Sequence, residues 1–440
     1  MTTWIKSDLV SLTRNHQPAV VLTVFAISIC LVTVNLSVAA SPAQQAAAAD
    51  KSLLMFMQWI PLFALAAWAI ASTKEPMFEL QVRGNPAWWG VLVFCAASAL
   101  WSDLPGTVIK RSLQNVGMLW IILATAWYFH SRMTFFYGKL LWIMGLLAWL
   151  SLMAAVFMPQ LGIETAPGIE GTWRGIIGQK NLLGIFCALT LYWCAVCWHQ
   201  RAIGSNMAVL VCLPALICLL MSRSSTSAML TAASVSSYFF LVGVRVRSNS
   251  LVLRSVLLAL MFAITVVLGH YFVETELPSS QIFIEPISAF FGKESHLTGR
   301  SDIWEIMWGS IAQHPMLGVG YASFWLGPGG PSQFVSDLLR WTVPTAHNGY
   351  LDILNEIGIV GMLIFISSLL WHVANLARLS VHNRPLAASH IGILVIFLIS
   401  NFSESTALRL FEYLQISLAT SMCMAVFQLH SALQKARAVG

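Results

Sequence analysis

Long apolar runs recur along almost the whole chain, and they limit what it can become. Runs of roughly 17–25 residues with few charges have the length of a bilayer-crossing helix. Twelve candidates lie near 19–39, 52–72, 87–101, 113–129, 139–158, 181–198, 206–222, 226–243, 253–273, 354–376, 387–402 and 410–429. The run at 87–101 is short, and only "SRSST" divides 206–222 from 226–243. In hydrocarbon every backbone N–H and C=O must be paired internally, which helices do segment by segment. The expectation is therefore an all-α polytopic membrane protein, a single membrane domain over 1–440. Composition agrees, because 58% of the 440 residues are hydrophobic and only 10% charged; a soluble chain carries about 25% charged residues. The run from Ala19 to Ala40 is too long for a secretory signal and shows no clear cleavage site, so it reads as a retained span. One connection stands out for length, 274–348, far above the usual loop and thus a candidate for function.

Charge gives the orientation. With both ends inside, the inner segments hold fourteen bases against three acids, and the outer side ten bases against fifteen acids. Such a split obeys the positive-inside rule. It also accounts for the net +6 as topology, which excludes a nucleic-acid footprint. The long loop 274–348 and the turn 171–184 then face outward.

The ten outer bases are Lys51, Lys110, Arg111, Arg174, Lys180, Arg223, Lys293, Arg300, Arg340 and Arg409. Each could snorkel or pair with an acid. The functional alternative is an anionic substrate held at the outer leaflet, since guanidinium and ammonium groups bind phosphate through charge-assisted hydrogen bonds. Arg223 is the sharpest case, because "LLMSRSSTSAML" leaves almost no loop around it, and a cation so near hydrocarbon is costly without a partner. In "GTWRGIIGQKNLLG" (Gly171 to Gly184) glycines alternate with Arg174, Lys180 and Asn181. A turn of this kind can present backbone N–H groups and cations to an anion at a helix start.

Two further stretches bound the end of the long loop. "HLTGRSDIWEIMWGSIAQHPMLGVGYASFW" (His296 to Trp325) predicts an amphipathic helix over 301–313 capped by Ser301 and followed by a Gly-rich turn. Lying on the membrane would suit such a helix. Arg300 precedes its start, where a base opposes the helix dipole, so something anionic is expected beside it. In "PTAHNGYLDILNEIGIVGMLIF" (Pro344 to Phe365) a polar turn becomes a span. Asn348, Asp352, Asn355 and Glu356 fall on one helical face, a face that hydrocarbon would reject.

In this order the last two stretches resemble the O-antigen ligase and Wzy-type polymerase superfamily, over roughly residues 215–376, and look closest to exopolysaccharide polymerases. "WRGIIGQKNLLG" is similar to a segment those polymerases write Gly-x-x-x-His-Lys-Asn-x-x-Gly, but Gln179 stands here at the histidine position. The resemblance implies a GT-C-type membrane glycosyltransferase of the bacterial inner membrane, working at the periplasmic face. Its donor would be an undecaprenyl-diphosphate-linked glycan and its acceptor a second glycan, with no cofactor and no metal. It implies that Arg223 and Arg300 bind the diphosphate and that His347 takes the proton from the acceptor hydroxyl. Arg111, Arg174, Lys180, Asn181, Tyr321, Asn348, Asp352 and Glu356 are the substrate-binding candidates. Membrane lipids are partners, and a chain-length regulator and a flippase of the same pathway could be. The residues themselves are compatible with this chemistry: preorganised cations can stabilise a diphosphate leaving group, and histidine is the side-chain type whose ordinary pKa lies nearest neutrality. The other histidines considered, His296, His314, His372, His382, His390 and His430, form no pair with zinc-like spacing. The eight cysteines lie in or against apolar runs, none in the long loop, so no disulfide is expected there. A polymerase is favoured over a ligase acting on a lipid A core or a protein. A transporter of lipid-linked oligosaccharide fits less well, because the polar residues gather on one face and no internal repeat is evident.

Overall fold

The structure, a computed structural model, describes residues 2–35, 57–73, 75–166, 169–243 and 300–439. The expected span 253–273 and the first part of the long loop, 274–299, lie outside them. Each other predicted span falls on a helix. In chain order the helices of seven or more described residues are α1 (Thr2–Thr33), α2 (Trp59–Ala71), α3 (Met77–Gly84), α4 (Pro86–Ala97), α5 (Pro105–Phe129), α6 (Met133–Phe157), α7 (Lys180–His199), α8 (Ser205–Met221), α9 (Ser225–Gly243), α10 (Arg300–Gln313), α11 (Gln333–Leu339), α12 (Gly349–His382), α13 (Arg384–Ser400) and α14 (Tyr413–Val439). Among the described residues no β-strand forms, and one isolated β-bridge pairs Ile163 with Trp173.

Five helical stretches among the described residues are long and apolar enough to cross a membrane: Pro105–Phe157, Lys180–His199, Ser225–Gly243, Gly349–His382 and Tyr413–Ala438. Shorter apolar helices include Pro86–Leu100, Ser205–Met221 and Arg384–Ser400. The chain is a multi-pass, all-helical membrane protein. Polar side chains set the starts of several spans. Asn85 accepts from the Trp88 N–H, Gln179 from that of Leu182 and Asn383 from that of Leu386, each at 3.1–3.3 Å. These N-caps satisfy donors that helical geometry leaves open.

The chain divides into two compact units. In the first (Met1–Gln81, Leu113–Arg223, Leu410–Ser431), α7 packs against α6 and α8. Its core includes Phe136, Phe186 and the stacked pair Tyr137 and Trp193, all fully buried. In the second (Val82–Ser112, Ser224–Arg409, Ala432–Gly440), α4 lies on α12, and α13 packs against both α12 and α9. Two side-chain amides tie the junction of α3 and α4 to α12: Asn85 donates to the Ser368 carbonyl at 3.0 Å, and Asn375 to the Gly84 carbonyl at 2.8 Å.

Helix α12 is not continuous. Gly358 leaves helical geometry at φ 65°, ψ −170°, a left-handed backbone that favours glycine. The carbonyls of Asn355 and Glu356 accept instead from the N–H groups of Val319 and Gly320, while the Ile359 and Val360 N–H groups donate to Pro315 and Met316. The turn segment 315–320 thus satisfies the backbone freed by the break. The helix expected at 301–313 begins at Arg300, one residue early. Ser301 lies inside its first turn, and its hydroxyl donates to Asp302 instead of capping. Nor does α10 keep its apolar face for the membrane: Ile303, Met307 and Ile311 are buried with Phe324, Val335, Val343, Ala346 and Leu351 in a core of the loop's own.

Candidate active site

The start of α12 builds the site. Asn348 caps it, its side-chain oxygen accepting from Tyr350 and Leu351 N–H at 3.0 and 3.3 Å. The residue before, His347, is held at φ 49°, an uncommon conformation for a residue with a β-carbon and one that concentrates at functional positions. Gly349 N–H donates to two carbonyls of the α13–α14 connection, Asn401 at 2.9 Å and Glu404 at 3.2 Å. A β-carbon on Gly349 would sit 2.1 Å from Asn401 Oδ1, so only glycine allows this approach. Asn401 in turn folds the connection, its Oδ1 accepting from the N–H groups of Thr406 and Ala407 and the Thr406 hydroxyl.

That connection delivers Glu404 between two of the expected residues. Glu404 Oε1 accepts from Arg300 Nη2 at 2.9 Å, and Oε2 lies 3.4 Å from His347 Nδ1. Because a carboxylate only accepts, the contact assigns the proton to Nδ1 and leaves Nε2 as the free base position. The Arg300 and His347 side chains are each 15% exposed, so the group lies at an edge that solvent reaches. The anion expected beside Arg300 is therefore Glu404 of the chain itself.

A second ion cluster lies one and two turns along α12. Arg409 Nη2 donates to Glu356 Oε1 at 2.6 Å and lies 3.9 Å from Asp352 Oδ2. Burial disfavours its charge, but the carboxylates of Glu356 and Asp352 outweigh this and hold the guanidinium protonated above its ordinary range. The acids bind the loop as well. Asp352 Oδ1 accepts from Trp325 Nε1 at 2.7 Å, and Glu356 Oε2 from the Ala322 N–H at 2.9 Å. Tyr321 donates its hydroxyl to the Leu408 carbonyl at 2.5 Å. Asp352, Glu356 and Tyr321 thus fasten 321–325 and 408–409 around the start of α12.

The structure brings His347, Arg300, Asn348, Asp352, Glu356 and Tyr321 into the second unit, where Arg111 also lies, exposed, on α5. Arg223, at φ 48°, ends the first unit in the turn between α8 and α9. Arg174, Lys180 and Asn181 also belong to the first unit. There Arg174 is buried, with Nε and Nη2 donating to the Leu161 and Gln160 carbonyls at 2.9 Å and Nη1 at 3.9 Å from Glu164. Glu164 Oε1 also accepts the Lys180 N–H at 3.2 Å, placing the chain's own carboxylate at the start of α7. Burial raises the Glu164 pKa, with Lys180 and Arg174 opposing the rise. Sequence reasoning missed Glu404 and gave Arg409 no role. Their trace was "NFSESTALRLFEY", an acid and a base in a short connection between two apolar runs. Among the described residues no group of three or more His, Cys, Asp or Glu side chains is placed to hold a metal.

A family profile described as Wzy_C, O-antigen ligase, matches residues 208–366, a stretch that includes Arg223, Arg300, His347, Asp352 and Glu356. The exopolysaccharide production protein ExoQ of Rhizobium meliloti (strain 1021) is 25% identical over 210 residues, 44% of this chain and 45% of that protein. The alignment thus covers less than half of the relative's length. Over the segment that carries most of the site, the chain resembles the O-antigen ligase and Wzy-type polymerase superfamily.

Proposed function

We propose that this chain is a membrane glycosyltransferase that joins polyprenyl-diphosphate-linked oligosaccharide units into a longer chain. The observation that carries the reading is Glu404 held against both Arg300 and His347. In the proposed step an acceptor hydroxyl attacks the anomeric carbon of the donor sugar. The bond from that carbon to the diphosphate oxygen breaks, polyprenyl diphosphate leaves, and the hydroxyl proton passes to His347 Nε2. Glu404 keeps the imidazole in the required tautomer and orientation. Arg300 supplies guanidinium donors for the charge developing on the leaving diphosphate, and Arg223, which belongs to the other unit, is retained as a diphosphate-binding candidate. Arg111, Lys180, Asn181 and Asn348 remain candidates for substrate contact. Asp352, Glu356, Tyr321 and Arg409 act as the frame, and Arg174 as the brace of its own turn.

Polymerisation is preferred over transfer to a lipid A core because ExoQ, to which the chain is similar, is an exopolysaccharide production protein. The ligase reading draws on the family description. The finer features of the proposal are twelve spans, a GT-C architecture, an undecaprenyl donor, the bacterial inner membrane and a site facing the periplasm. A flippase and a chain-length regulator are its proposed pathway partners. Since the substrate's diphosphate is its own leaving group and arginines answer the charge, purified protein should elongate lipid-linked repeat units in excess chelator and without ATP. Loss of turnover with EDTA, restored by a divalent ion, would overturn the arginine-based mechanism.

A further inference from the structure

Helix α11 presents three different surfaces within two turns. Val335 points inward and is fully buried in the loop's core, with Leu339 one turn on partly buried against it. Gln333 and Asp337 form a polar stripe, joined by a side-chain hydrogen bond. Between these, Phe334 and Leu338 face outward at 42% and 66% exposure, followed by Trp341 at 46%. Arg340 stands beside Trp341 at the helix end, in a left-handed conformation that turns the chain. Large apolar side chains collected on one exposed face mark an interaction surface.

The core beneath α11 gives its level. It contains Leu351, in the first turn of α12, and α12 is one of the stretches able to cross the bilayer. The apolar run of α12 starts near residue 354, so Leu351 lies within one turn of the level at which that run meets lipid, and α11, which packs on α10 and shares the core with Leu351, lies close to that boundary. A Trp beside an Arg is the chemistry of that boundary, the ring at headgroup depth and the cation near lipid phosphate. We propose that Phe334, Leu338 and Trp341 insert into the bilayer interface, so that α11 anchors to lipid the loop that leads into His347. The role falls to α11 more than to α10, which gives Ile303, Met307 and Ile311 to the core and exposes Trp308 alone among its large apolar side chains. It holds whatever reaction the site performs.

The test is a spin label on the full-length protein in phosphatidylethanolamine–phosphatidylglycerol vesicles. Leu338→Cys and Asp337→Cys are labelled in turn, both positions being exposed, and collisions with oxygen and with a water-soluble nickel chelate are compared. The unsubstituted protein sets the background from its native cysteines. The expected result is a Leu338→Cys label that meets oxygen several-fold more readily than nickel, with the preference reversed at Asp337→Cys. Equal access of the nickel chelate to both labels would place α11 in water and overturn the proposal. A Leu338→Cys label shielded from both agents would also overturn it, because protein, whether a second copy or another chain, would then cover the face.

Discussion

One carboxylate, Glu404, answers both Arg300 and His347, and substitutions around it separate the roles. His347→Ala should lower glycan transfer by about 10²–10⁴-fold, the usual contribution of a general base, while leaving donor binding nearly intact. His347→Gln keeps a hydrogen-bonding group without basicity, so activity retained by Gln would recast the histidine as a positioning group. Glu404→Gln removes the acceptor that fixes the Nδ1 proton and can invert the contact by offering its own N–H, so transfer should fall by about 10²-fold or more. Rescue by Glu404→Asp is not expected where the carboxylate must span two partners. Arg300→Lys keeps the charge but loses the planar fork, and should impair transfer in protein that still inserts and folds. Wild-type turnover by that variant would assign Arg300 to structure. Asn348→Ala should act on stability by about 1 kcal/mol, the usual cost of a lost helix cap, because its side-chain oxygen is committed to Tyr350 and Leu351. Thermal unfolding and transfer, measured on the same preparation, distinguish these outcomes.

Helix α12 carries the clearest prediction at the scale of an element. At Gly358 a β-carbon would meet the Met316 carbonyl oxygen at 2.3 Å, on a backbone at φ 65°. Gly358→Ala therefore meets both strain, on the order of 1–3 kcal/mol for a non-glycine residue there, and a clash with the segment that satisfies the break. The expected result is a lower unfolding temperature together with reduced transfer, since 315–320 leads into Tyr321 and Ala322 and so to Glu356. A variant as stable and active as wild type would show that the break is dispensable. How far this was legible follows from period and distance. Apolar runs read as spans because their signal is local, and the polar face of α12 read correctly because Asn348, Asp352 and Glu356 repeat every four residues. The break did not, because "IGIVGML" is uniformly apolar and the groups that repair it come from 315–320, about forty residues earlier. Glu404 was invisible for the same reason, lying 104 residues from Arg300 and 57 from His347. Spacing along the chain carries no information about such pairs. Arg174 and Glu164 show another limit: a basic Gly-rich turn reads as an anion cradle, and only the fold shows Arg174 and the first N–H of α7 engaged with the chain itself.

For the whole molecule, orientation is the quantity the charges predict. Fourteen bases and three acids on one side, against ten and fifteen on the other, predict both termini in the cytoplasm and the loop leading to His347 in the periplasm. The proposed reaction requires this side, because a glycan grown on a lipid carrier for export meets its acceptor there. Thr342 and Ala436 are exposed positions near opposite ends of this assignment, and cysteines placed there report it directly. The native cysteines are buried or half-buried, so a charged, impermeant maleimide should label them little. In cells with a permeabilised outer membrane and an intact inner one, Thr342→Cys should be modified and Ala436→Cys protected until lysis. The reverse pattern would place His347 and Glu404 in the cytoplasm and remove the glycan-export reading with them. Labelling of both positions before lysis would mean an even number of crossings between residues 342 and 436, so α12, α13 and α14 could not all span. That outcome would leave the ion contacts of the site intact but overturn the arrangement of spans around it.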